Sequence, residues 1–127
     1  MPYLKSKIIM KALVCEDDKV VLKVIEVAMA EEGIKATLVN NGQKALDLLA
    51  QNDYDLIVTD IHMPYVNGDA VLDFVHKGQG KKTPVIMISS DSQEEVVTMA
   101  LNSGVHAFVS KPVSVERLRK VIREVRG

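Results

Sequence analysis

Short apolar runs alternate with longer amphipathic stretches along the chain. Ala12-Leu13-Val14-Cys15, Leu56-Ile57-Val58-Thr59, Val85-Ile86-Met87-Ile88 and Ala107-Phe108-Val109-Ser110 are each too short for an ordinary helix. Turn residues bound them, so each reads as a buried strand. With one more strand, the expected set lies near 8–15, 35–39, 55–59, 84–89 and 107–110. Between strands the period changes. Val21, Leu22, Ile25, Ala28 and Met29 share one helical face, as do Val115, Leu118, Val121, Ile122 and Val125. Strand–helix alternation of this kind implies a parallel sheet covered by helices on both faces. Gly33 is expected to close the first helix, and Gly42, Gly68 and Gly104 to punctuate turns. Asp18 and Ser114 are expected helix caps, and Ser92 with Glu95 a capping box for the fourth helix.

The polar residues that follow the strands carry the chemistry. The first run ends in Glu16-Asp17-Asp18, the third in Asp60, the fourth in Ser89-Ser90 and the fifth in Lys111-Pro112. Carboxylates, a hydroxyl and an ammonium thus gather at the carboxyl ends of strands, the edge at which open α/β sheets bind ligands.

Composition narrows the field. A chain of 127 residues accommodates one domain with a proper core. It reads as a single domain over 1–127, with 1–7 an N-terminal extension and the core over about 10–126. Hydrophobic residues at 47% and charged ones at 26% are an ordinary globular balance, which requires neither disorder nor a membrane. A net charge of -1 provides no broad basic footprint for nucleic acid. The basic start is a poor signal peptide, since the apolar run behind it is broken at Lys11. A single cysteine forms no internal disulfide, in keeping with a cytoplasmic location. Cys15 reads as an inert core thiol, and His62, His76 and His106 lack metal-ligand spacing. Gly78-Gln79-Gly80 precedes a strand rather than a helix, so it is no phosphate loop.

Taken in order, Glu16-Asp17, Asp60 with Met63-Pro64 and Gly68, Ser89, Phe108 and Lys111-Pro112 resemble the receiver domain of bacterial response regulators, the phosphoacceptor half of two-component signalling. The likeness covers about residues 10–126. It implies a doubly wound, flavodoxin-like sheet of five parallel strands in the order 2-1-3-4-5. It also implies a signalling phosphoacceptor rather than a turnover enzyme. Asp60 would take a phosphoryl group from a histidine kinase or histidine phosphotransfer protein. Mg²⁺ would be held by Glu16, Asp17, Asp60 and the backbone carbonyl of His62, with Lys111 and Ser89 completing the catalytic set. Ser89 and Phe108 would be the switch, and the face of helix 4, strand 5 and helix 5 would meet an output protein. His62 and Asp91 would flank the path of attacking water and tune phosphate lifetime. Direct nucleic-acid and membrane contacts are not expected.

Plainer readings stand beside these. Acids at strand ends can be helix caps, Lys-Pro is commonly a turn, and Phe108 is equally well a core aromatic. Val20, Val24 and Val27 form a second stripe on the first helix. Val20 and Val24 read either as a docking contact for the phosphodonor or as a wider core contact. Arg117, Arg119, Lys120, Arg123 and Arg126 read as a solvated helix face whose late cations match the dipole. Three function classes follow: a stand-alone receiver, a receiver piece of a longer regulator with a DNA-binding or enzymatic output domain, and a phosphatase or flavin binder on a similar sheet. A haloacid-dehalogenase-type phosphatase would need an aspartate where this chain has His62, and a flavin site has no use for Asp17 or Lys111. Two departures from the commonest receiver pattern are Ser89 in place of threonine and Glu16 in place of aspartate.

Overall fold

Five parallel strands lie in the order β2-β1-β3-β4-β5. The computed structural model describes residues 9–63, 66–90 and 94–126. Along the chain run β1 (Lys11–Cys15), α1 (Lys19–Glu31), β2 (Lys35–Val39), α2 (Gly42–Gln51), β3 (Leu56–Asp60), α3 (Gly68–Asp73) with a π-helical turn (Phe74–Gly78), β4 (Val85–Ser89), α4 (Glu94–Asn102), β5 (Ala107–Ser110) and α5 (Val115–Arg126). The doubly wound, flavodoxin-like expectation holds, strand order included. Ser92, Asp91, Pro64 and the 1–7 extension lie outside the described residues.

The sheet has a core on each face because successive strand residues point to opposite sides. Ala12, Val14, Leu56, Val58, Ile86, Ile88 and Val109 pack against Ile25, Ala28 and Met29 of α1 and Leu118, Val121 and Ile122 of α5. On the other face, Leu13, Cys15, Ile57, Val85 and Met87 meet α2, α3 and α4 through Ala45, Leu49, Val71, Leu72 and Ala100. β3 and β4 are buried along their whole length, as uninterrupted apolar runs require. Each fully buried Leu or Ile contributes about 1.5–3 kcal/mol relative to exposure.

Strand boundaries differ from the expected ones by a few residues. β3 begins at Leu56, because Asp55 is occupied in a reciprocal pair with Lys11: its N–H donates to the Lys11 carbonyl at 2.7 Å, and its carboxylate accepts from the Lys11 N–H at 2.8 Å. β4 begins after Pro84, which has no N–H for the ladder. Asp18 caps α1, accepting from Val20 N–H at 2.8 Å and Val21 N–H at 3.2 Å. Ser114 caps α5 through the Arg117 N–H at 3.1 Å. Gly33 has φ 71°, and the Ile34 N–H donates to the Met29 carbonyl at 2.9 Å. That is a Schellman close, with Ile34 and Met29 both in the core.

Candidate functional site

Parallel register brings the site together. Cys15 pairs with Thr59, Asp60 with Ile88, and Ser89 with Ser110. The strands therefore finish nearly level, and Glu16, Asp60, Ser89 and Lys111 line one edge. Ser89 is fully buried at the end of β4, and its carbonyl accepts from the Lys111 N–H at 2.8 Å. The Glu16 N–H donates to the Val39 carbonyl at 3.1 Å, which extends the β1–β2 ladder one residue beyond the strand. Glu16, Asp17 and Asp60 each offer a carboxylate oxygen, all within 4.8 Å of one another. Asp17 is exposed, whereas Glu16 and Asp60 are buried.

Lys111 binds this cluster together. Its Nζ lies 2.7 Å from Asp60 Oδ2 and 3.3 Å from Glu16. Burial would push its ammonium down, but the hydrogen bond and charge of Asp60, reinforced by Glu16, raise it instead. Asp60 Oδ1 accepts from the His62 N–H at 2.9 Å. Gly68 allows the loop after β3 to close. A Cβ there would sit 2.5 Å from the Asp60 carbonyl oxygen and 3.0 Å from Ile61 Cα.

One ammonium cannot balance three carboxylates. Glu16 Oε2 accepts from the Asp18 N–H at 2.9 Å, whereas Oε1 is buried with no hydrogen-bond partner and has the shared Lys111 ammonium 3.3 Å away. Burial pushes the Glu16 carboxyl up to about 7; the Asp18 N–H and Lys111 oppose this, and the charge of Asp60 adds to it. A buried carboxylate oxygen left to an ammonium that Asp60 shares, in an all-oxygen donor set, fits a hard divalent cation such as Mg²⁺. The residues present therefore fit the metal that the sequence suggests.

A family model described as a response regulator receiver domain matches residues 12–123. The chain belongs to that family. It is a receiver domain of two-component systems. Over 118 residues it is 34% identical to "Two-component response regulator ORR21" of Oryza sativa subsp. indica, covering 91% of this chain and 17% of that protein. It is 30% identical to "Sensory/regulatory protein RpfC" of Xanthomonas campestris pv. campestris, covering 91% of this chain and 16% of that protein. This receiver domain thus spans about a sixth of these curated relatives. The receiver domain of Francisella response regulator 1452 superposes with TM-score 0.83 at 34% identity, covering 91% of this chain and 95% of that one. Chemotaxis response regulator CheY4 of Vibrio cholerae shares the fold, with TM-score 0.83 at 23% identity over 92% and 98% of the two chains.

Other expected site residues of this receiver domain fall elsewhere. Phe108 is half-buried in β5 beside the core that holds Met87. The His62 side chain is exposed, and Asp91 lies outside the described residues. Val20, Val24 and Val27 belong to neither core. With Lys19, Lys23 and Val115 they line an open groove of about 390 Å³, where Val20 is 75% exposed.

Three features escape a sequence reading. The first corrects the solvated-face expectation for α5. Arg119 donates to Glu32 at 2.8 Å and to Glu31 at 2.7 Å, and Arg123 lies 2.9 Å from Glu32. Arg126 donates to the Glu32 carbonyl at 3.2 Å. Three of the five cations thus clamp α5 to the end of α1. The second is the steric role of Gly68. The third is the partner of Cys15: its Sγ donates to Met63 Sδ at 3.2 Å. Burial pushes this thiol up to about 12, consistent with an inert core cysteine. Charge runs at helical spacing were a signal for the first; nothing local marks the other two.

Proposed function

We propose that Asp60 accepts a phosphoryl group from the phosphohistidine of a histidine kinase or phosphotransfer protein. The observation that carries this is the Asp60 carboxylate held by Lys111 at 2.7 Å, inside a carboxylate cluster suited to Mg²⁺. An Asp60 oxygen attacks phosphorus, the P–N bond to the donor imidazole breaks, and its electron pair stays on the imidazole. The product is an acyl phosphate. Glu16, Asp17, Asp60 and the His62 backbone carbonyl would hold Mg²⁺. Bound there, Mg²⁺ supplies the positive charge that offsets repulsion between carboxylate and phosphoryl oxygens. Lys111 then pairs with a phosphoryl oxygen, and the Ser89 hydroxyl donates to another.

The new group carries roughly -1.5 to -2 charges, which draw Ser89 and Lys111 toward it. Phe108 follows, and the face of α4, β5 and α5 presents the changed state to an output protein. His62 and Asp91 tune the lifetime of the acyl phosphate, so replacing either changes dephosphorylation more than phosphorylation. Val20 and Val24 receive the phosphodonor. The protein is a cytoplasmic signalling phosphoacceptor rather than a turnover enzyme. A second reading rests on the 16–17% share of the relatives that the chain spans. In it, the domain sits within a longer regulator whose output part binds DNA or acts as an enzyme.

Incubation with Mg²⁺ and acetyl phosphate followed by intact mass measurement tests the core. One added phosphoryl mass is expected in wild type and none in Asp60→Asn. Labelling that persists in the mutant would place the acceptor elsewhere.

A further inference from the structure

The corner between β2 and α2 supplies none of the proposed chemistry, yet it touches both parts of the cation site. On one side the Val39 carbonyl accepts from the Glu16 N–H at 3.1 Å. On the other, Gly42, buried as the first residue of α2, lies against Val66. A Cβ on Gly42 would sit 2.1 Å from the Val66 carbonyl oxygen, 2.7 Å from its Cβ and 2.8 Å from its Cγ1. The nearest of these atoms is backbone, so no change of rotamer would relieve the clash. Positive φ does not explain the glycine, since among the described residues it occurs at Gly33, Gly80 and Gly104. Helix propensity does not explain it either, because alanine is the better helix former. What Gly42 provides is close approach.

Val66 leads straight into the site. It packs half-buried against the second core and precedes Asn67, whose side chain caps α3 by accepting from the Ala70 N–H at 3.0 Å. The next residue, Gly68, donates its N–H to the Ile61 carbonyl at 3.0 Å. Ile61 stands between Asp60 and His62, and its own N–H donates to the Ile88 carbonyl at 2.9 Å. The His62 N–H reaches back to Asp60 Oδ1 at 2.9 Å. A path of backbone contacts thus runs from the start of α2 through Val66, Gly68 and Ile61 to the phosphoacceptor. Groups that orient a metal's ligands govern affinity without touching the metal. Gly42 has no side chain to offer a cation, so it acts through position alone.

We propose that Gly42 is a positioning residue for the cation site. It lets the β2–α2 corner buttress the segment after β3, and so sets the Asp60 carboxylate and the His62 carbonyl against Glu16. This role rests on the Mg²⁺ reading of Glu16, Asp17 and Asp60 given above.

Titration calorimetry with Mg²⁺, in the absence of any phosphodonor, tests it on wild type, Gly42→Ala and Gly33→Ala. Gly33 closes α1 at φ 71°, and a Cβ there would meet nothing within 4 Å, so its alanine variant strains the backbone away from the site. Mg²⁺ affinity should fall about tenfold in Gly42→Ala and stay at the wild-type value in Gly33→Ala. The His62 amide resonance should move in the first variant and hold still in the second. If Gly42→Ala does not fold, Val66→Gly loosens the same contact without adding an atom, and it should weaken binding in the same direction. A folded Gly42→Ala with wild-type affinity, or failing that a Val66→Gly with it, overturns the buttress and leaves the Mg²⁺ reading standing. A wild-type protein that binds no Mg²⁺ overturns that reading and the buttress together.

Discussion

Glu16 Oε1 is buried without a hydrogen-bond partner, while Lys111 serves Glu16 and Asp60 together. Its raised carboxyl makes the metal-free protein bind more protons than the unfolded chain between the ordinary value of 4.5 and about 7. Stability is therefore greatest below that window and declines as pH rises through it. Glu16→Gln, measured with a chelator present, should melt several degrees above wild type at pH 8, and the gap should close toward pH 5. The same variant should weaken Mg²⁺ binding. Gly68→Ala acts by sterics rather than charge. A Cβ placed 2.5 Å from the Asp60 carbonyl must displace backbone, at a cost of about 1–3 kcal/mol, and should slow Asp60 labelling. Denaturant unfolding beside acetyl phosphate labelling checks both effects. Asp18 and Ser114 were legible as caps because a cap acts within three residues of itself. The need for glycine at 68 was not, because the atoms that exclude a side chain belong to Asp60, Ile61 and Met87.

Helices α1 and α5 read from sequence as two amphipathic elements with apolar stripes; Ile25, Ala28, Met29, Leu118, Val121 and Ile122 are buried as expected, while Val21, Leu22, Val115 and Val125 at the edges of the stripes are half-buried. Their partnership did not read, since Arg119 and Glu32 are 87 positions apart. Hydrogen bonds from Arg119 and Arg123 hold the Glu32 carboxyl below its ordinary range, against the opposing effect of burial. A lowered carboxylate contributes stability that is present above its unfolded value of 4.5 and is lost as pH falls through the lower folded value. Glu32→Gln should therefore lower the melting temperature at pH 7. The difference from wild type should shrink in acid, and also in high salt because the arginines are partly exposed. A difference that is flat from neutral pH into acid would remove the clamp from the account.

For the protein as a partner in signalling, the groove of Val20, Val24, Val27 and Val115 matters most. Val24→Glu should slow phosphotransfer from a phosphohistidine donor while leaving acetyl phosphate labelling and melting unchanged. Unaltered transfer would end the docking idea. The valine stripe was visible at helical spacing, but the contribution of Val115 was not, because α5 reaches the groove only through packing on the same sheet face. Periodicity and strand-end chemistry suffice for the elements, the doubly wound class and the acids, hydroxyl and lysine of the candidate site, since each depends on neighbours in the chain. Packing decides the rest: the common edge of four distant residues, the buried Glu16 carboxylate that shares one ammonium with Asp60, and the α1–α5 clamp. Those depend on strand register and helix placement, which bring groups tens of residues apart within a few ångströms of one another.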